Sequence, residues 1–322
     1  MSSSPRKHFR TWGIIALALV AGVVIAIVTV AVNAPRAQRE EVPQSVLPAE
    51  TRMGVVELKV RDLPSMTAFY GQHGVGLDLL SEADDSVSLG VDDDELIRLV
   101  PAEGDQASAQ DAGLYHSAIL FPDGPALAQS MVRMAEKYPG QFQGAADHRV
   151  SEAFYFGDPE GNGVELYIDT PRSEWVWEDG QVQMGSDPLD PNAFIEEHLG
   201  DRPTGDATMG HVHLKVGDVG QARDFYVDTL GFAVTAEANG AIFMSAGGYH
   251  HHLGANTWGS AGAGVRPTGL GLGEFAVVLP EASELDGVAE RLRLAGVAFV
   301  QDDTGLMVAD PWGNQVRFTA AG

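Results

Sequence analysis

The chain has 322 residues, 44% of them hydrophobic, and carries a formal net charge of -25. That length supports a sizeable core or two, while the acidity excludes nucleic acid and anionic lipid surfaces as partners, since phosphate binding needs clustered Lys and Arg. The absence of cysteine excludes disulfides, thiolate metal sites and lipid attachment through sulfur.

A short N-terminal tail, residues 1–12, holds Arg6, Lys7 and Arg10. The next segment, 13–33, is apolar from Gly13 to Val32 except for Thr29, about the length of a transmembrane helix. Pro35 directly after Ala34 argues against signal cleavage, so a retained signal anchor is expected. Arg36 and Arg39 follow the span. The larger basic count before it orients the N-terminus to the cytoplasm and the soluble domain outside. Residues 34–52 then read as a polar tether.

Four similar units follow. They open at Val55, His116, His211 and Glu274, each on a short apolar strand with an acid seven residues on: Asp62, Asp123, Asp218 and Glu281. An acid there suits a helix start, because its oxygens accept from unpaired first-turn amides. Pro64 fits the first helical turn. Phe69-Tyr70 and Phe225-Tyr226 recur at the same interval in units one and three. Short β-rich stretches close each unit, as in Ala153–Phe156 and Val164–Ile168. The fold class is α+β, with one domain at 53–170, an irregular linker at 171–209 and a second domain at 210–322.

Units two and four share a fingerprint. Asp158-Pro159-Glu160-Gly161-Asn162-Gly163-Val164-Glu165 recurs as Asp310-Pro311-Trp312-Gly313-Asn314-Gln315-Val316-Arg317. The first copy ends in a carboxylate and the second in a guanidinium, which cannot bind a metal. Units two and three offer imidazole at the first-strand position. His116, His211 and Glu165 thus form a two-histidine, one-carboxylate set that leaves positions open for substrate and dioxygen, as a non-haem Fe(II) site needs. Val55, Glu274 and Arg317 make the equivalent set in units one and four, and it is a poor one. His213 shares the face of His211 on a strand and is the alternative ligand.

Candidate acid-base groups are His148, before a strand of unit two, and His250 and His252, which strand alternation places on one face with His251 on the other. Tyr167 lies two residues after Glu165 and should share its face. The chain has no glycine-rich phosphate loop after a strand and no nucleophile elbow.

These residues resemble the vicinal oxygen chelate superfamily over about residues 53–320. Gly113-Leu114-Tyr115-His116, Gly161 to Tyr167, Gly210 to Leu214 and Gly248-Tyr249-His250-His251-His252 are similar to its catechol 2,3-dioxygenase-like, four-module branch. The resemblance implies four βαβββ modules paired into two half-barrel units, here preceded by a transmembrane helix. It also implies iron held by His116, His211 and Glu165, with Mn, Ni and Zn as the alternative metals. Extradiol cleavage of a small aromatic diol by dioxygen is the expected activity. A glyoxalase-type isomerase or lyase with Ni or Zn, and a non-catalytic small-molecule binding protein, are the competing readings. Membrane contact is expected only through the N-terminal helix.

Overall fold

The computed structural model describes residues 42–83, 85–200, 206–267 and 269–321. Unit one runs β1 (Arg52–Val60), α1 (Leu63–Tyr70), β2 (Asp78–Ala83), β3 (Ser86–Val91) and β4 (Asp94–Pro101). Unit two runs β5 (Gly113–Leu120), α2 (Gly124–Lys137), β6 (Phe142–Asp147), β7 (Ser151–Gly157) and β8 (Gly163–Asp169). A connecting segment holds β9 (Trp177–Glu178), β10 (Gln181–Val182), β11 (Asp187–Pro188) and α3 (Pro191–His198). Unit three has β12 (Thr208–Lys215), α4 (Val219–Arg223), which widens into a π-helical turn at Asp224–Thr229, β13 (Ala233–Ala238), β14 (Ala241–Ser245) and β15 (Leu253–Asn256). Unit four has β16 (Gly271–Leu279), α5 (Glu284–Ala295), β17 (Phe299–Asp302), β18 (Gly305–Ala309) and β19 (Gln315–Ala320).

In each unit the first and last strands pair in parallel. Parallel neighbours need a long crossover, which the helix and the middle strands supply. Units then join through antiparallel first strands. β5 pairs with β12, and β1 with β16. The result is a nine-stranded sheet, β11-β6-β7-β8-β5-β12-β15-β14-β13, and an eight-stranded sheet, β17-β18-β19-β16-β1-β4-β3-β2. Each sheet therefore draws one unit from each half of the chain. The sequence division at 171–209 falls between units but not between sheets.

Three helices start where the acids require. Asp62 accepts from the Ser65 amide at 3.1 Å, Asp123 from Ala126 at 2.9 Å and Asp218 from Gln221 at 2.8 Å. The fourth does not: α5 begins at Glu284, and Glu281 contributes only its carbonyl to the Glu284 amide. Up to residue 200 the linker also holds more regular structure than its Asp, Pro and Gly content suggests. Its β11 caps the edge of the nine-stranded sheet, and Phe194 of α3 packs edge-on against Phe154 of β7 at 4.9 Å.

The recurring Phe-Tyr pairs and the fingerprint turns meet. Tyr70 donates to Asp158 at 3.0 Å, and Tyr226 donates to Asp310 at 2.8 Å. Each aspartate also gathers the amides two and four residues on and the side-chain amide of its own asparagine. Such a buried carboxylate is stable only with its lone pairs filled. The turn it closes fixes where β8 and β19 begin.

The localisation read from the sequence is corrected. Among the described residues, no helix is long and apolar enough to cross a membrane, which overturns the expectation of a membrane-anchored, extracytoplasmic domain. The 13–33 segment behind that expectation lies outside the described residues.

Candidate metal centre and its cavity

The β5–β12 seam and its parallel neighbour β8 bring three donors together. Glu165 Oε2 lies 3.0 Å from His116 Nε2 and 3.2 Å from His211 Nε2, and the two nitrogens are 3.3 Å apart. Donors bonded at about 2.1 Å stand about 3.0 Å apart at a right angle and about 3.4 Å apart at a tetrahedral one. All three separations suit one small divalent ion. All three residues are buried. Burial depresses the His211 imidazole to about 4, against the pull of the Glu165 carboxylate. Burial alone pushes Glu165 up, but His211 and His116 together hold it well below the usual carboxylate range. A neutral imidazole and an ionised carboxylate are the states a metal requires.

His213 stands opposite His116 across the seam, yet its Nε2 takes a hydrogen bond from the Asn256 side chain at 3.0 Å. His211 is thus the residue of this pair that reaches Glu165. Strand pairing also identifies what is missing from unit three. Glu165 sits beside Ala118, Arg317 beside Ala276 and Gly254 beside His213, all at the same repeat position. Gly254 therefore occupies the place of a second carboxylate. Its bareness is used, because a Cβ there would come within 2.8 Å of the His213 ring.

In the eight-stranded sheet the corresponding place holds an ion pair. Arg317 donates to both oxygens of Glu274, at 2.5 and 2.9 Å. Glu57 lies nearby, its carboxyl pushed up by burial and by the Glu274 charge.

The donors open onto a cavity of roughly 710 Å³. His148, Tyr155, His213, His251, Phe243 and Trp258 line it, together with Gln143, Gln181, Gln183 and Glu237, and among the described residues no Lys or Arg does. His148 sits on the tight β6–β7 turn, where Arg149 takes a left-handed φ of 68°. Its Nδ1 lies 2.6 Å from the Gly185 carbonyl and its Nε2 lies 2.6 Å from the Tyr155 hydroxyl. A carbonyl only accepts, so Nδ1 carries a proton; in the neutral ring Nε2 then accepts from Tyr155. Burial and the Glu165 charge push the Tyr155 phenol well above its ordinary value.

The remaining expected groups face elsewhere. His250 Nε2 contacts Asp169 at 2.9 Å, and His252 Nδ1 contacts Ser245 and the Ala246 amide at 3.1 and 3.2 Å. Neither lines the cavity. The strand expected here is a loop: residues 247–252 precede β15, with Gly247 and Gly248 at positive φ. His251 is the member of that run at the cavity. Tyr167 is fully buried, bonded to the Tyr249 hydroxyl at 2.7 Å, and packs its ring against His211. Tyr155 was not singled out from sequence. The signal existed: the fingerprint turn is centred on Glu160, which places Tyr155 directly across from Glu165.

Residues 208–318 match the family model of the Glyoxalase/Bleomycin resistance protein/Dioxygenase superfamily. A curated relative, Catechol-2,3-dioxygenase of Bacillus subtilis (strain 168), is 37% identical over 272 residues, covering 81% of this chain and 94% of that one. Two solved structures share the fold. A putative dioxygenase from Bacillus subtilis gives a TM-score of 0.57 at 14% identity, covering 84% of each chain. Glyoxalase I from Zea mays gives 0.51 at 16% identity, covering 84% of this chain and 92% of that one. The chain belongs to this superfamily, also called vicinal oxygen chelate, and is an enzyme of its catechol 2,3-dioxygenase-like branch.

Proposed function

We propose that this superfamily member is an extradiol ring-cleaving dioxygenase, using Fe(II) held by His116, His211 and Glu165 to open a catecholic ring. The observation that carries the reading is the convergence of exactly those three donors, 3.0 to 3.3 Å apart, at the wall of a roomy cavity. Such an ion, when bound, supplies Lewis acidity toward a vicinal diol and electrons for dioxygen.

The chain's own groups do the rest. His148 and Tyr155 form one hydrogen-bonded pair at the cavity, and His251 faces it from the other unit. A diol hydroxyl placed among them meets acceptors and donors already oriented, so little is lost in arranging them at the moment of reaction. Phe243 and Trp258 offer flat apolar surface for a ring. With no Lys or Arg on the wall among the described residues, and Glu237 present, an uncharged ring is favoured over a carboxylated one.

Glyoxalase-type chemistry is disfavoured by Gly254, which removes the second acid such sites use as a base. A pure binding role is disfavoured by the intact donor set. Anaerobic loading with Fe(II), followed by a catechol and air, tests the proposal: oxygen uptake with a yellow ring-opened product is expected. No uptake with any neutral catechol, by protein holding one iron per chain, would overturn it.

A further inference from the structure

The loop before β15 carries a chain of hydrogen bonds that runs away from the cavity. His251 Nδ1 lies 2.8 Å from His250 Nδ1, and His250 Nε2 lies 2.9 Å from Asp169 Oδ1. Tyr249 donates to the same aspartate oxygen at 3.1 Å. His250 is fully buried, with its ring against Tyr249 at 4.1 Å and edge-on to Trp175 at 5.3 Å. These contacts hold the ring on two sides.

The protons follow from the partners. A carboxylate only accepts, so His250 Nε2 must donate to Asp169. In the neutral ring the other nitrogen of His250 is then a bare lone pair. Two ring nitrogens 2.8 Å apart need one proton between them, and only His251 can supply it. His251 therefore carries its proton on Nδ1, and its Nε2 is left as an acceptor. Nε2 has no partner among the described residues, and the ring lines the cavity while packing 4.1 Å from the His211 ring.

We propose that Asp169 and His250 are positioning residues that fix His251 in its Nδ1–H tautomer, presenting Nε2 to the cavity as the acceptor for a substrate hydroxyl. The tautomer does not depend on the dioxygenase reading, whereas the identity of that hydroxyl rests on it. The arrangement explains why the run of three histidines splits its duties. His251 faces the cavity, His250 backs it, and Asp169 at the end of β8 anchors both, four residues from Glu165 on the same strand.

Histidine ¹⁵N–¹H correlation spectra of the full chain, assigned with His251→Gln, read the tautomers directly. The expected result is a protonated Nδ1 and bare Nε2 at His251, with the reverse at His250. In His250→Phe, which keeps a ring but no nitrogen, His251 should become a tautomer mixture. Turnover of a neutral catechol at saturation should fall by about 10- to 100-fold, with metal content unchanged. His250→Gln offers one amide donor and one carbonyl acceptor, so it should restore the tautomer and most of kcat. A native His251 protonated at Nε2, or a His250 protonated at both nitrogens, would overturn the assignment, as would an unchanged tautomer in His250→Phe. If the tautomers are as expected but no catechol is consumed, the dioxygenase reading fails and the positioning stands.

Discussion

The Tyr155 hydroxyl stands 2.6 Å from His148 Nε2, and the same tyrosine pairs across the β7–β8 ladder with Glu165. One residue thus links the candidate metal ligand to a histidine fixed from behind by the Gly185 carbonyl. Removing the hydroxyl with Tyr155→Phe leaves ring packing intact but takes away the proton that His148 accepts. Turnover should drop by about 100-fold, within the range of a positioned proton donor. Iron content should stay at the native level. Steady-state kinetics with metal analysis on the same sample checks both.

Glu165 and Glu274 occupy the two sheets but should answer differently to truncation. Glu165→Ala removes one donor of three and should weaken metal binding by at least about 100-fold, beyond what a ligand's own partner is worth. Glu274→Ala strands the Arg317 guanidinium in a partly buried site and should cost about 1–3 kcal/mol of stability, leaving metal affinity alone. Metal titration and denaturant unfolding on the pair separate the two roles.

Gly254→Ala tests the missing fourth ligand position. The added Cβ would sit 2.8 to 3.0 Å from three atoms of the His213 ring, closer than real contacts allow. His213 must shift off Asn256, at a cost of about 1–3 kcal/mol for overpacking. Thermal unfolding measures it, with a lower midpoint expected.

Acid should destabilise the fold through buried neutral histidines. Burial lowers His252 from 6.5 to about 3. Between those values the unfolded chain binds a proton that the folded chain refuses, so stability is present above about pH 6.5 and lost as pH falls toward 3. The slope for one such group is about 1.4 kcal/mol per pH unit. His252→Asn should flatten the acid limb between pH 6 and 4, which unfolding curves at a series of pH values will reveal.

Much of this was legible in the chain, because a repeat converts spacing into geometry. Two histidines at equivalent first-strand positions and one acid in the right fingerprint, His116, His211 and Glu165, are the three donors that converge. The aspartates at 62, 123 and 218 cap helices because capping is local chemistry, set by a few neighbouring residues. What was not legible depends on tertiary placement. His250, His251 and His252 lie on a loop rather than a strand, so their spacing alone did not say that His251 is the one that reaches the cavity. Tyr155 is distinguished by its partner across a hairpin, a relation that a scan along one strand does not register. The partition into sheets was legible only in part: the donor sets already grouped units two with three and one with four, but the β5–β12 and β1–β16 seams that join those units link strands far apart in the chain.

The most direct measurement is metal identity and stoichiometry in protein purified anaerobically, read beside oxygen uptake with a neutral catechol. The account predicts one Fe(II) per chain, lost in Glu165→Ala, and one dioxygen molecule consumed per ring opened. Full occupancy by nickel or zinc with oxygen-independent turnover of another substrate, or iron bound equally well without Glu165, would contradict it.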